Sequence, residues 1–259
     1  MIKVLFGPAG LGSPAIEGLK LIKSAGLDAA EISFTHGVNF SVEKSKEVGE
    51  FAKKIGISLS IHAPYYINLA SEDKNKKEAS KKRIFDSCKS GHYLGAKYVV
   101  FHAAYYGKLG SEEVYDIVRD SVVELQDALK EANYSDVNLC PEITGKKTQF
   151  GDVDELVKLS SETDCGVCID FAHIYARNIG SINYDYVCKE IKKIKILTGH
   201  FAGIEFTDKG ERRHVLTEPD RAKELLEYLK KYKISIRLIN ESPDPVSDAL
   251  MMKNVWNQI

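Results

Sequence analysis

Neither sign of charge dominates this chain: 36 lysines and arginines stand against 37 aspartates and glutamates, a formal net charge of −1. No global field therefore announces a polyanionic partner, although a local basic face can hide inside such an average. No apolar run reaches the ~18 residues of a membrane span, and no charged-then-apolar N-terminal stretch with a small-residue cleavage site is visible. The expectation is a soluble, cytoplasmic protein with no membrane partner. Cysteines are few and odd in number: Cys88, Cys140, Cys165, Cys168 and Cys188. Cys165-x-x-Cys168 has no second pair to complete a zinc site, and on a strand its thiols point to opposite faces. Buried thiols in a reducing compartment are expected instead. Linkers, repeats and low-complexity segments are also lacking, and Gly7–Gly10 fits neither a dinucleotide fingerprint nor a P-loop.

What is present is ordinary core material, 44% hydrophobic and 28% charged over 259 residues, arranged with a clear rhythm. Short β-branched runs at 4–7, 29–34, 57–62, 97–102, 137–142, 166–170, 201–206 and 236–241 alternate with amphipathic helical stretches. Helix stops are written as glycines at Gly56 and Gly95. A helix start is written at Ser13-Pro14, and another at Ser111 with Glu112 and Glu113. Strands separated by crossover helices make a parallel sheet. Eight such units in about 250 residues close most naturally as a (β/α)8 TIM barrel, one domain over residues 1–259, with a doubly wound open sheet as the alternative.

The carboxyl ends of strands two to eight carry Glu31, His62, His102, Glu142, Asp170, Glu205 and Glu241. In a barrel all of these ends face one mouth. Taken singly, each has a plainer role: Asp170 can cap the turn that follows it, and His173 can be an ordinary loop histidine. Their coincidence at seven strands is what counts. Crowded carboxylates repel and titrate upward unless a cation relieves them. A mixture of imidazole nitrogen and carboxylate oxygen suits Zn2+, with Mn2+ or Fe2+ as alternatives.

The wording around these residues resembles the endonuclease IV family of apurinic/apyrimidinic endonucleases. IHAPYYINLAS at 61–71 and VFHAAYYG at 100–107 are similar to its strand-three and strand-four histidine motifs, with Ala103-Ala104 where Pro-Gly is usual. PEITGKKTQFG at 141–151, GVCIDFAHIYA at 166–176 and ESPD at 241–244 match its later motifs in order. The resemblance implies a TIM barrel holding two or three metal ions. His62, His102 and Glu142 would hold one. Glu142, as bridging and catalytic residue, would hold a second with Asp170, Glu241 and a strand-seven residue. His173 and His214 would hold the third. It further implies hydrolysis of the phosphodiester 5′ to an abasic site in double-stranded DNA, with no obligate protein partner. Tyr65 and Tyr66 beyond His62, and Arg212 and Arg213 in a mouth loop, are then candidate DNA contacts.

Two departures stand out. In FAGIEFTDKG at 201–210, Glu205 occupies the place of the family's strand-seven histidine, and His200 lies five residues earlier, so Glu205 is the expected ligand. Where the family has Asp-x-His, this chain reads Arg212-Arg213-His214, so the third ion is expected to lose a carboxylate. A second activity fits the same mouth: a metal-dependent sugar isomerase or epimerase of the xylose-isomerase-like barrels, which Glu31 and Glu205 would favour.

Overall fold

Eight strands close on one another in parallel, each followed by a segment that crosses the outside of the barrel. The computed structural model describes residues 2–259. The first five strands are β1 (Val4–Pro8), β2 (Ala29–Ser33), β3 (Ser58–His62), β4 (Tyr98–Phe101) and β5 (Asn138–Pro141). After β6 (Val167–Asp170) and β7 (Leu197–Phe201) comes an antiparallel hairpin, β8 (Gly203–Thr207) with β9 (Gly210–Val215), and then β10 (Ile236–Asn240). Hydrogen-bonded ladders run β2-β3-β4-β5 and β6-β7-β10-β1. Parallel bridges Ala9–Glu31 and Glu142–Cys168 join the two ladders at both seams. The barrel expected from the alternation is therefore the fold, and two of the residues that stitch it shut belong to the polar cluster described below.

The helices are α1 (Ala15–Ser24), α2 (Val42–Ile55), α3 (Lys74–Leu94), α4 (Ser111–Glu131), α5 (Val153–Thr163), α6 (Phe171–Arg177), α7 (Tyr184–Ile191), α8 (Pro219–Tyr232) and α9 (Pro245–Gln258). Their ends follow local chemistry. Ser41 caps α2, Asp73 caps α3, and Asp152 with Glu155 forms a reciprocal capping box on α5. Gly56 and Gly95 end α2 and α3 in the left-handed conformation, as their positions in the sequence suggest. The expected cap at Ser13 falls one residue later, on Pro14, and Gly110 rather than Ser111 precedes α4. All five cysteines are reduced and buried.

Strand seven is where the periodicity misleads. The apolar run 201–206 reads as the barrel strand, yet the barrel uses Leu197–Phe201 and sends Gly203–Thr207 into the hairpin. Gly199, which lowers the apparent strand propensity of that segment, is required there. A Cβ at this position would lie 2.9 Å from the Ile169 carbonyl oxygen and 2.9 Å from Ile236 Cδ1.

Candidate metal centre

Glu142 leaves the end of β5 just after Pro141 and is 1% exposed. Its two carboxylate oxygens face different partners. Oε2 lies 3.1 Å from His62 Nε2 at the end of β3 and 3.0 Å from His102 Nε2 just beyond β4. Oε1 lies 2.9 Å from His200 Nδ1, on β7. A carboxylate contacted from both sides by imidazoles is arranged to bridge two cations. His62, His102 and Glu142 present ligand atoms within 4.8 Å of one another, as do Glu142, Asp170, His200 and Glu241.

Asp170 fulfils both roles its sequence position allows. Its Oδ1 accepts from the His173 backbone N–H at 2.7 Å and so caps α6. The other oxygen, Oδ2, is buried and has no hydrogen-bond partner. His173 Nδ1 stands 3.3 Å from it, and a buried carboxylate oxygen without a hydrogen bond is costly in a metal-free core and is what a cation ligand looks like.

The histidines are held by their far nitrogens. His62 Nδ1 meets the Ala63 carbonyl at 2.8 Å, His173 Nδ1 the Ile143 carbonyl at 2.8 Å, and His214 Nδ1 the Glu241 carbonyl at 3.1 Å. A carbonyl only accepts, so each Nδ1 carries the proton and each Nε2 is left to ligate. The Nε2 atoms of His173 and His214 face each other at 3.4 Å, and Glu211 Oε2 lies 3.4 Å from His173 Nε2. Asp170, His173 and His214 present ligand atoms within 4.8 Å of one another, so the two imidazoles and that carboxylate, with Glu211 beside them, could hold a further ion.

The electrostatics carry the same message. Burial alone would raise the Glu142 carboxyl, but the His200 and His102 imidazoles outweigh it and hold it well below the ordinary carboxylate range. Burial opposes charge on His62, yet the Glu142 bond and the charges of Glu142, Glu31 and Glu241 lift it to about 9. His173 is lifted to about 9 against its burial by Asp170, Glu211 and Glu142. Glu142 keeps its charge, and His62 and His173 take up protons to balance it. A divalent cation would compete with those protons.

Residues 19–200 match the family model described as xylose isomerase-like TIM barrel. The chain belongs to that family. It is 36% identical over 273 residues to an uncharacterised protein of Methanocaldococcus jannaschii, covering all of this chain and 98% of that protein. A probable endonuclease 4 of Mesomycoplasma hyopneumoniae is 24% identical over 141 residues, which span 53% of this chain and about half, 49%, of that relative. Among solved structures, endonuclease IV from Thermus thermophilus superposes with a TM-score of 0.73 at 18% identity, covering 99% of this chain and 100% of that one. A 3-keto-D-glucoside 4-epimerase from E. coli superposes equally well, with a TM-score of 0.73 at 16% identity and full coverage of both chains. At these identities the structural matches speak for the barrel alone.

Within this family member, two expectations need correction. Glu205 stands apart from the cluster. It sits on β8, and its carboxylate is engaged by Arg213 at 2.6 and 2.9 Å, with Arg212 at 3.8 Å. The strand-seven residue in the cluster is His200, fully buried and at the level of Asp170 in the β6–β7 register. The second correction concerns the missing carboxylate. The hairpin register pairs Glu205 with Arg213 and Phe206 with Glu211, so Arg212 is the extra residue of a β-bulge. Skipping Arg212 brings Glu211 onto the same face as His214. The pattern Glu-x-x-His therefore supplies a carboxylate where Asp-x-His would, and Arg212 is turned outward with its side chain 69% exposed. Glu211 is the residue that sequence reasoning missed, because strand alternation without a bulge puts it on the wrong face.

Glu31 also differs from its expected place. It lies two residues before the end of β2, fully buried beneath the cluster rather than at the mouth. Tyr65 and Tyr66 are exposed at the β3–α3 loop, with the Tyr65 ring 5.5 Å from that of His62. They border a groove of about 530 Å³ that Arg83 and Tyr105 also line. Arg213 is exposed but already paired with Glu205. Among the described residues no helix is long and apolar enough to cross a membrane.

Proposed function

We propose that this protein is a metal-dependent phosphodiesterase of the endonuclease IV type, hydrolysing the bond 5′ to an abasic site in double-stranded DNA, from one barrel domain. The observation that carries the reading is the third ligand group. Asp170, His173 and His214 present ligand atoms within 4.8 Å of one another, with Glu211 3.4 Å from His173, and so extend the Glu142-centred cluster to three adjoining sites, whereas a proton transfer beside a carbonyl needs only one or two ions. The partial matches to probable endonuclease 4 proteins support the same assignment. The nitrogen and carboxylate donor set suits Zn2+, with Mn2+ or Fe2+ as alternatives.

His62, His102 and Glu142 would hold one ion, Glu142, Asp170, His200 and Glu241 a second, and His173, His214 and Glu211 a third. Bound there, the ions would supply Lewis acidity to the phosphoryl oxygens and activate water for in-line attack. Glu142 fixes the spacing between the first two sites through its separate oxygens. The backbone carbonyls of Ala63, Ile143 and Glu241 hold the imidazoles in the tautomer that presents Nε2. Tyr65 and Tyr66 stand at the rim, where an exposed ring can fill the space an extrahelical abasic sugar vacates. Arg212, free of the hairpin ladder and only loosely paired with Glu205 at 3.8 Å, is available to a backbone phosphate, and Arg213 becomes so only by exchanging Glu205 for it.

A second reading has its own support. Glu142, Asp170, His200 and Glu241 alone make a four-ligand site for one ion, which would serve a sugar epimerase with a carboxylate as proton-transfer base. Incubating metal-loaded protein with a duplex carrying one abasic site, beside a panel of ketoses and aldoses, separates the two. EDTA-sensitive incision supports the endonuclease, and sugar turnover without incision overturns it.

A further inference from the structure

The histidines at His62, His173 and His214 are each oriented by a neutral backbone carbonyl, and His200 is different. Its ring is reversed: Nδ1 faces Glu142 Oε1 at 2.9 Å and Glu241 Oε1 at 3.5 Å, while Nε2 points below the cluster. The atom waiting there is Glu31 Oε1, 3.0 Å away and off the ideal N–H direction. Glu31 belongs to β2 and His200 to β7, two strands that are not neighbours in the ladder, so the contact crosses the barrel interior.

Glu31 is itself held. Ser60 Oγ donates to its Oε2 at 2.6 Å, and Arg237 Nη2 stands 3.7 Å from the same oxygen. Arg237 is anchored in turn by donating to Thr198 Oγ1 at 3.0 Å and by lying 4.8 Å over the Tyr98 ring. All of these groups except Tyr98 are fully or almost fully buried. A carboxylate and a guanidinium sealed in a barrel are expensive unless they do something packing cannot.

From this arrangement we propose that Glu31 is the positioning residue for His200, a buried carboxylate that fixes its proton on Nε2 and turns Nδ1 to the metal site. A carboxylate behind a ligating imidazole both selects the tautomer and makes the ring a stronger donor, and losing such a partner costs about 10–100-fold in metal affinity. The inference rests on the reading that the cluster holds metal, and it adds a residue that lies below the ligands and touches none but His200.

The test is titration of EDTA-stripped protein with Co2+, following the visible d–d bands, with Glu241→Gln identifying the step that belongs to the His200 ligand set. In Glu31→Gln that step weakens about 10–100-fold and its bands shift, while the other steps stay put. Unchanged affinity and spectrum in folded Glu31→Gln overturn the proposal. Because Glu31→Gln strands the Arg237 charge, Glu31→Gln/Arg237→Met is carried alongside, removing the buried pair together; the same loss is expected from it. Independently of any variant, long-range 1H–15N spectra of the Zn2+-loaded wild type should show His200 protonated at Nε2, and a proton on Nδ1 overturns the assignment. If wild-type protein takes up no Co2+, the metal reading itself fails; if it does and only the Glu31 effect is missing, the positioning role alone fails.

Discussion

Stripped of metal, the protein should lose stability as the pH rises from 6.5 to 8.5. The perturbation is pH alone, and the sign follows from the histidines. His62 and His173 have folded pKa values raised from 6.5 to about 9 by the carboxylates around them. A raised histidine contributes stability that is fully present below its unfolded value of 6.5 and is lost as the pH climbs through 9. One such group loses about 2 kcal/mol between pH 6.5 and 8.5. His62 and His173 share Glu142 and Glu241 among their partners, so their contributions do not simply add. His200 is raised as well and works in the same direction. Glu31 and Glu142 do not interfere, because Glu31 is lowered to about 2 and Glu142 well below its usual range, and both release their stability only in acid. The buried thiols set the upper limit of the window. Burial raises Cys165 to about 11, so thiols would add their own loss near pH 9 and above. The assay is guanidinium unfolding in EDTA at half-unit steps, repeated with saturating Zn2+. With the ion present the trend should reverse, since binding displaces the histidine protons and tightens as the pH rises. A flat profile in EDTA would refute the view that protonated histidines balance the cluster's charge.

Three further outcomes follow from the same geometry. Glu142→Gln should reduce incision by about 10²–10³-fold, the scale on which loss of a preorganised electrostatic group acts, with the circular dichroism spectrum unchanged; activity near wild type would sink the bridging role. Glu211→Gln should lower the bound metal by one ion in elemental analysis while Glu205→Gln leaves it unchanged, and the opposite pattern would restore Glu205 as the ligand. Gly145→Ala should mimic Glu211→Gln, because the new Cβ would meet Glu211 Cβ at 2.6 Å and Oε2 at 2.8 Å and push that carboxylate away from His173; full occupancy of the third site in this variant would show that the hairpin yields without cost.

The barrel is legible in the sequence because alternation, crossover length and glycine stops are local signals that agree with one another. Most of the cluster is legible for a related reason. His62, Glu142, Asp170 and Glu241 stand at or just past strand ends, and a barrel brings all such ends to one mouth. What fails are the positions where side-chain direction depends on something other than strand counting. Glu205 attracts the ligand role because Gly203–Thr207 is a convincing strand, which it is, but in a hairpin outside the barrel. Glu211 is invisible because one bulged residue, Arg212, reverses the face of everything before it. Glu31 counts as a mouth residue by type although it stops two residues short, which puts its carboxylate under the cluster instead of in it. These three acids share a lesson about mixed carboxylate–histidine sites. Residue type and strand position locate the acids that could matter, but only the fixed register of the backbone separates the one that meets a cation from one that meets an arginine and one that steadies a histidine. Here Glu211, Glu205 and Glu31 take those three roles in that order, the first and third as proposals, and the variants above test each against the others.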